Sequence, residues 1–80
     1  MTPNQFKTLE FVGAQVAAQG FAPSLQEIAD HVGLVSRSNI CVIVRNLVGA
    51  GLIRRLPGQA HRNLDLTDAG RAMLARKEAA

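Results

Sequence analysis

Helix-start and helix-end signals divide the first half of this chain into short helices, and this division most constrains its fold. TPNQ at residues 2–5 and SLQE at residues 24–27 each place a hydroxyl side chain three residues before a glutamine or glutamate. This spacing is the capping box that begins a helix, and the first box also has proline at the first helical position. Gly20 and Gly33 follow as helix ends. The sequence therefore predicts two helices, residues 3–19 and 25–32.

The apolar run ICVIV, residues 40–44, has two interpretations. Its β-branched composition is typical of a buried strand. As a helix, the segment places four apolar side chains on one face, at the spacing of an amphipathic helix: Ile40, Ile43, Val44 and Leu47. Ser36 as an N-cap and Gly49 as a helix end favour the helix, because the segment between them is longer than a typical strand. We therefore predict a third helix over residues 37–48.

Residues 52–66 change to the two-residue period of a β-hairpin, with a Pro57-Gly58 turn between two short runs. A last helix is predicted over residues 68–77, with basic residues in its last turn. The order of elements predicts a single domain over residues 1–80. Its fold class is mainly α with a small β-hairpin, a winged helix-turn-helix. This fold consists of a three-helix bundle, a two-stranded wing and a C-terminal helix.

The turn between the second and third helices has the residues that a helix-turn-helix requires. Ala29 is small enough for the third helix to approach closely, and Gly33 permits the positive φ of the turn. The hairpin follows directly after the third helix. In a winged helix the third helix enters the DNA major groove, while the wing lies on the backbone or in the minor groove.

Composition and cysteine usage exclude several classes of protein. No apolar stretch approaches the roughly 20 residues of a membrane span, and the N-terminus has no signal-peptide pattern. Cys41 is the single cysteine, so no internal disulfide is expected and a cytoplasmic location is the default. His31 and His61 match no metal-ligand spacing, and the acidic residues are scattered. We expect no enzyme activity, no metal, no cofactor, no membrane association and no small-molecule ligand.

Positive charge is concentrated in one part of the chain, although the net charge is only +3. Residues 36–62 contain five basic residues, all arginines, and no acidic residue. The planar fork of arginine binds phosphates and guanine edges. If all five arginines contact phosphates, log affinity falls with log salt at a slope of roughly −4 to −5. A solvated basic face is the alternative, and the positions on a helix and a wing favour DNA.

The segment GFAPSLQEIADHVGLVSRSNICVIVRNLVGAGLIRR, residues 20–55, resembles the N-terminal DNA-binding domain of the LexA repressor family. The resemblance covers roughly residues 3–67. The matching positions run in register without gaps: Gly20, Pro23, Glu27, Ile28, Ala29, Gly33, Ser36, Leu47, Gly51 and Ile53. The tail LDLTDAGRAMLARK, residues 64–77, resembles the strand-to-helix exit of MarR-type winged helices. In that family the terminal helices often form the dimer, so the resemblance implies a homodimer through the C-terminal helix.

Two departures limit what the LexA resemblance implies. The matched region does not include the self-cleaving C-terminal domain of LexA repressors, so no protease chemistry is carried over. LexA also has two consecutive glutamates in its recognition helix where this chain has Cys41 and Val42. The DNA sequence that this chain reads is therefore expected to differ from the LexA operator.

Base contacts are expected on the side of the third helix opposite its apolar face, near its N-terminus. Arg37 suits guanine O6 and N7, Asn39 suits adenine N6 and N7, and Ser38 suits either base. Cys41 and Val42 are expected to pack against thymine methyl groups. A solvent-facing Asn39 and a Val42 in the core are the alternatives that the pattern leaves open.

Contacts to the DNA backbone are expected from the residues around this helix and from the wing. Ser36 is expected first to cap the third helix and also to bind a phosphate, and Arg45 lies further along the same helix. The LexA resemblance likewise places Ser36 in the contacting stretch, together with Ser38 and Asn39. The residues predicted to contact the backbone are Ser24, Ser36, Arg45, Arg54, Arg55, His61 and Arg62.

These patterns predict a sequence-specific double-stranded DNA-binding protein, a transcriptional regulator of bacterial or phage type that acts as a repressor. A single winged module covers few base pairs, so a homodimer on a palindromic operator is expected. The alternative from another class is a winged-helix protein-interaction module within a larger assembly. An N-terminal domain of a longer repressor is also compatible with the sequence.

Overall fold

The computed structural model describes residues 2–33, 37–58 and 62–79, and it contains four α-helices and one two-stranded antiparallel sheet within them. The elements in chain order are α1 (Pro3–Gln19), α2 (Leu25–Val32), α3 (Arg37–Gly49), β1 (Ile53–Arg55), β2 (Leu64–Leu66) and α4 (Asp68–Ala79). The predicted winged helix-turn-helix is confirmed, and ICVIV is helical. Helix α3 extends one residue and α4 two residues beyond the expected ends. For α4 the reason is that Glu78 and Ala79 are residue types that favour helix.

Both predicted capping boxes are formed. The Thr2 hydroxyl accepts a hydrogen bond from the Gln5 backbone N–H at 3.2 Å, and the Gln5 side chain accepts one from the Thr2 N–H. Ser24 and Glu27 make the same reciprocal pair at the start of α2. Gly33 ends α2 in the left-handed conformation, with φ of 86°, which a residue without Cβ adopts at low cost. Helix α2 therefore ends at the glycine that the sequence predicts as its last signal.

The core lies where the three N-terminal helices and the hairpin meet. Helix α3 contributes Ile40, Val44 and Leu47, each at most 1% exposed, and Ile43 packs against them. These are the four residues of the predicted apolar face. The buried apolar residues of the other segments are Leu9, Val12, Ala22, Ile28, Ala29, Leu52, Ile53, Leu64 and Leu66. Burying one side of α3 in this way fixes which side remains at the surface.

The hairpin presents one apolar and one charged face. Ile53 is paired with Leu66 in the register, and both side chains are buried. The next pair, Arg54 and Asp65, points to the opposite side, as alternation along a strand requires. The wing is therefore anchored to the core at its base and carries its charges outward.

The start of α4 lies directly against the chain that leaves α3. Thr67 donates its hydroxyl hydrogen to the Gly51 carbonyl and its backbone N–H to the Leu52 carbonyl, the latter at 3.2 Å. The same hydroxyl accepts a hydrogen bond from the Gly70 N–H at 3.1 Å. A Cβ at Gly70 would lie 2.2 Å from the Leu52 carbonyl oxygen. Only glycine permits this close approach between α4 and the backbone at Leu52.

Candidate nucleic-acid interface

Helix α3 has a continuous exposed face opposite its core-facing side. Ser38, Asn39 and Val42 are exposed on it, and Arg45 follows one turn further on. Cys41 is half-buried at the edge of this face rather than at its centre. Cys41 and Val42 are both predicted to contact thymine methyl groups. The side chain of Val42 is the more exposed of the two and is therefore the better placed for this contact.

Asn46 is a member of this face that the sequence reasoning missed. It is exposed and lies four residues after Val42 and seven after Asn39, which places all three on one side of a helix. The signal was present in the spacing. Two amides and a valine therefore share the outer surface of α3.

Two neighbouring arginines on β1 have different surroundings. Arg54 donates to the Asp65 carboxylate across the hairpin at 3.0 Å, and Asp65 also lies 3.8 Å from Arg71 of α4. Arg55 is exposed and has no ion pair among the side chains that the structure describes. Residues 36–62 contain no acidic residue in sequence, but the folded protein places the Asp65 carboxylate beside Arg54.

Arg62 connects the wing to the start of α2. Its guanidinium donates to the Glu27 carboxylate and, at 3.4 Å, to the Ala22 carbonyl oxygen. It also lies over the Phe21 ring, 5.3 Å from the ring centroid. The predicted phosphate contact of Arg62 thus competes with three groups of the protein. The sequence contained no local signal for this contact, since Glu27 and Arg62 are 35 residues apart.

Glu27 has two roles at this junction. It accepts a hydrogen bond from the Ser24 N–H as the second half of the capping box, and it pairs with Arg62. These contacts, the Ser24 hydrogen bond first and the Arg62 hydrogen bond next, hold the pKa of the Glu27 carboxyl below its ordinary value. Glu27 is therefore ionised at neutral pH, and its charge offsets that of Arg62 between the wing and α2.

The remaining predicted site residues are placed as follows. Ser24 is half-buried, and its hydroxyl accepts from the Glu27 N–H at 3.1 Å, so it caps α2 at the edge of the interface. Ser36 and His61 lie outside the described residues, and so does the side chain of Arg37, whose backbone begins α3.

His31 stacks on Phe11 with 4.1 Å between ring centroids. This contact ties the end of α2 to α1.

An open, mainly apolar groove of about 700 Å³ lies between α1 and α4, and no residue of α3 lines it. Gly13, Ala14 and Ala17 line the α1 side, and Leu74 and Ala75 line the α4 side. Small residues on α1 let the two helices approach each other. The groove is larger and more apolar than a second concavity beside Arg54, Asp65 and Arg71.

The described residues include no group of three or more His, Cys, Asp or Glu side chains that could hold a metal ion. Within the same part of the chain, every helix is too short or too polar to cross a membrane.

The chain is similar to known proteins along most of its length. A family described as the LexA DNA binding domain matches residues 1–62. The LexA repressor of Frankia alni is 39% identical over 59 residues, which are 74% of this chain and 23% of that protein. The chain thus spans about a quarter of the length of the curated relatives it matches.

Solved structures extend the similarity through the hairpin and α4. The PcaV transcriptional regulator of Streptomyces coelicolor, solved with its natural ligand, aligns with a TM-score of 0.70 at 28% identity. The alignment covers 95% of this chain and 52% of that chain. A MarR family regulator from Neisseria meningitidis has the same fold, with a TM-score of 0.71 at 24% identity over 99% of this chain and 54% of its own.

Proposed function

The chain belongs to the family of LexA DNA-binding domains, and on this basis we propose that it is a transcriptional regulator, a repressor, that binds specific sequences of double-stranded DNA. The observation that carries the proposal is the outer face of α3. This face lies opposite the core and presents amides, a hydroxyl, a valine and an arginine, the side chains that read base edges and phosphates. The proposal assigns no catalytic step to these residues.

In the proposed complex α3 lies in the major groove and the wing lies along the backbone or in the minor groove. Arg37, Ser38, Asn39 and Val42 read bases, and Cys41 contributes at the edge. The proposed backbone contacts are Ser24, Ser36, Arg45, Arg54, Arg55, His61 and Arg62. The proposal places the protein in the bacterial or phage-infected cytoplasm, where duplex DNA is found.

The experiment that tests this proposal is selection from a library of random duplexes, followed by titration of the enriched duplex at several salt concentrations. We expect enrichment of one sequence and affinity that falls steeply with salt. Since Arg54 and Arg62 are already paired with carboxylates, the slope is expected to be closer to roughly −3 than to −5 for each bound protomer, and a dimer doubles this value. A folded protein that enriches no sequence contradicts the proposal.

Arg54 and Arg55 form a matched pair for this measurement, because they are adjacent on β1 and differ in their partners. Arg55→Gln is expected to make the salt slope shallower by about 0.9 for each bound protomer, the value for one phosphate contact. Arg54→Gln is expected to reduce it less, because Asp65 already neutralises part of that charge in the free protein. Equal reductions in both variants would mean that the Arg54–Asp65 pair opens fully on DNA.

We also propose that the regulator acts as a homodimer on a palindromic operator, with the second copy on the groove between α1 and α4. The groove is mainly apolar, and its lining includes no residue of α3. A second copy there leaves both α3 helices open for successive half-sites.

Ala17→Glu places a charge in this groove, and Ala18→Glu places the same charge on an exposed neighbouring position that does not line it. We expect the first variant to sediment as a monomer where the parent is a dimer, and the second to remain dimeric. Both variants should melt close to the parent temperature if a monomeric fold is stable. A parent that is monomeric at all concentrations, or a dimeric Ala17→Glu variant, contradicts this arrangement.

A further inference from the structure

Val42 is a large apolar side chain left exposed at the centre of the proposed interface. It is 48% exposed, and among the described residues only Phe21 is a comparably exposed large hydrophobic residue. Phe21 is accounted for by the guanidinium of Arg62 over its ring. Val42 lies on the outer face of α3, turned away from the core residues Ile40 and Val44.

The surroundings of Val42 on the helix are entirely polar. On a helix surface, the neighbours of a residue are those three and four positions before and after it. For Val42 these are Ser38, Asn39, Arg45 and Asn46, and all four are exposed. The apolar side chain of Val42 is therefore surrounded by four side chains that can form hydrogen bonds, and two of these are amides.

This pattern corresponds to one base pair in the major groove. Thymine is the base with a methyl group there, and its partner adenine presents N6 and N7, which an asparagine side chain binds with two hydrogen bonds. Cytosine offers no methyl group at that edge, and valine makes no hydrogen bond that would compensate. A valine beside asparagines thus favours thymine over cytosine, because it buries the thymine methyl group. A glutamate at this position would instead accept a hydrogen bond from cytosine N4.

We propose that Val42 is a specificity-determining residue that packs against the 5-methyl group of a thymine in each half-site. In this proposal Asn39 or Asn46 binds the adenine of the same base pair. This inference rests on the proposed DNA-binding function and names the class of duplex that α3 reads. Arg45, one turn on from Val42, contacts the phosphate next to this base pair.

The test uses the duplex enriched by the parent protein from a random library. Each thymine is replaced in turn by deoxyuridine, which removes only the 5-methyl group, and affinity is measured for the parent and for Val42→Ala. At one thymine per half-site we expect the parent to lose about fourfold in affinity, the value for one buried methyl group. The same replacement should lower the affinity of Val42→Ala by less than about twofold, because this variant lacks the valine methyl groups that contact the thymine methyl group.

Cys41→Ser is the comparison variant, because it shows whether this neighbouring side chain, rather than Val42, packs against the thymine methyl group. It should keep the fourfold loss at the same thymine. Because Val42 is exposed, Val42→Ala should retain the parent melting temperature, so loss of folding does not obscure the result.

Three results overturn the inference while leaving the proposed function intact: an enriched duplex without a responsive thymine, an equal loss in Val42→Ala, or a loss abolished by Cys41→Ser. If the folded parent enriches no duplex, the proposed function itself fails, and this inference fails with it.

Discussion

Replacing Gly70 with alanine is expected to lower the free energy of unfolding by about 2–3 kcal/mol, the upper range for overpacking a tightly packed site. The new Cβ would lie 2.2 Å from the Leu52 carbonyl oxygen and 3.2 Å from its carbonyl carbon. These atoms belong to the backbone, so no rotamer change relieves the clash. The Leu52 carbonyl also accepts the Thr67 N–H, and moving it weakens that hydrogen bond.

Thermal unfolding followed by circular dichroism measures this effect. For a domain of this size a loss of 2–3 kcal/mol corresponds to a decrease in Tm of roughly 10–20 °C. Gly49→Ala is the control, because a Cβ there meets nothing within 4 Å and the residue is helical. That variant should be unchanged or more stable by up to about 1 kcal/mol. A Gly70→Ala protein that melts with the parent would show that α4 does not dock against Leu52 as described.

The elements of this fold could be predicted from the sequence because their signals are local. Each capping box lies within four residues, and the apolar spacing of α3 outweighs the β-branched composition of ICVIV once the whole segment is considered. The wing follows from alternation and a Pro-Gly turn. In each case the residues that decide the element lie inside it or at its ends, where a pattern can be read.

Contacts between distant segments could not be predicted in the same way. Gly70 appears in the sequence as an ordinary glycine within a helix, and its requirement arises only when the Leu52 carbonyl lies beside it. The Glu27–Arg62 pair joins two segments that no spacing rule relates. Such contacts are set by how the elements dock, which depends on the whole core.

The same distinction applies to the charge pattern. Along the chain, all charged residues between positions 36 and 62 are arginines. In the folded protein, however, Asp65 lies beside Arg54 and Glu27 beside Arg62. Exposed pairs such as these add little stability, but each one reduces the positive field that a phosphate meets. The field of the free protein is therefore weaker at the wing than the sequence suggests, and the exposed Arg45 on α3 gains in relative importance.

The double variant Arg37→Ala, Asn39→Ala is expected to lose sequence preference while keeping the fold. Each bidentate contact to a base is worth about 1–3 kcal/mol, so the two lost contacts lower the affinity for the selected duplex by roughly 30-fold to 10⁴-fold for each half-site. The affinity for unrelated duplexes should fall much less, because phosphate contacts supply it. The ratio of the two affinities, measured by anisotropy at one salt concentration, therefore approaches one.

Lys7→Ala, Gln19→Ala is the matched control, because it removes one cation and one amide from exposed positions of α1 and leaves α3 intact. It should retain the preference of the parent. If the α3 double variant instead prefers the selected duplex as strongly as the parent does, α3 is not the element that reads bases. If the folded parent binds no duplex at all, the outer face of α3 is better explained as the contact surface of a protein-interaction module. In that case Val42 and its ring of polar residues would face a protein partner in place of a base pair.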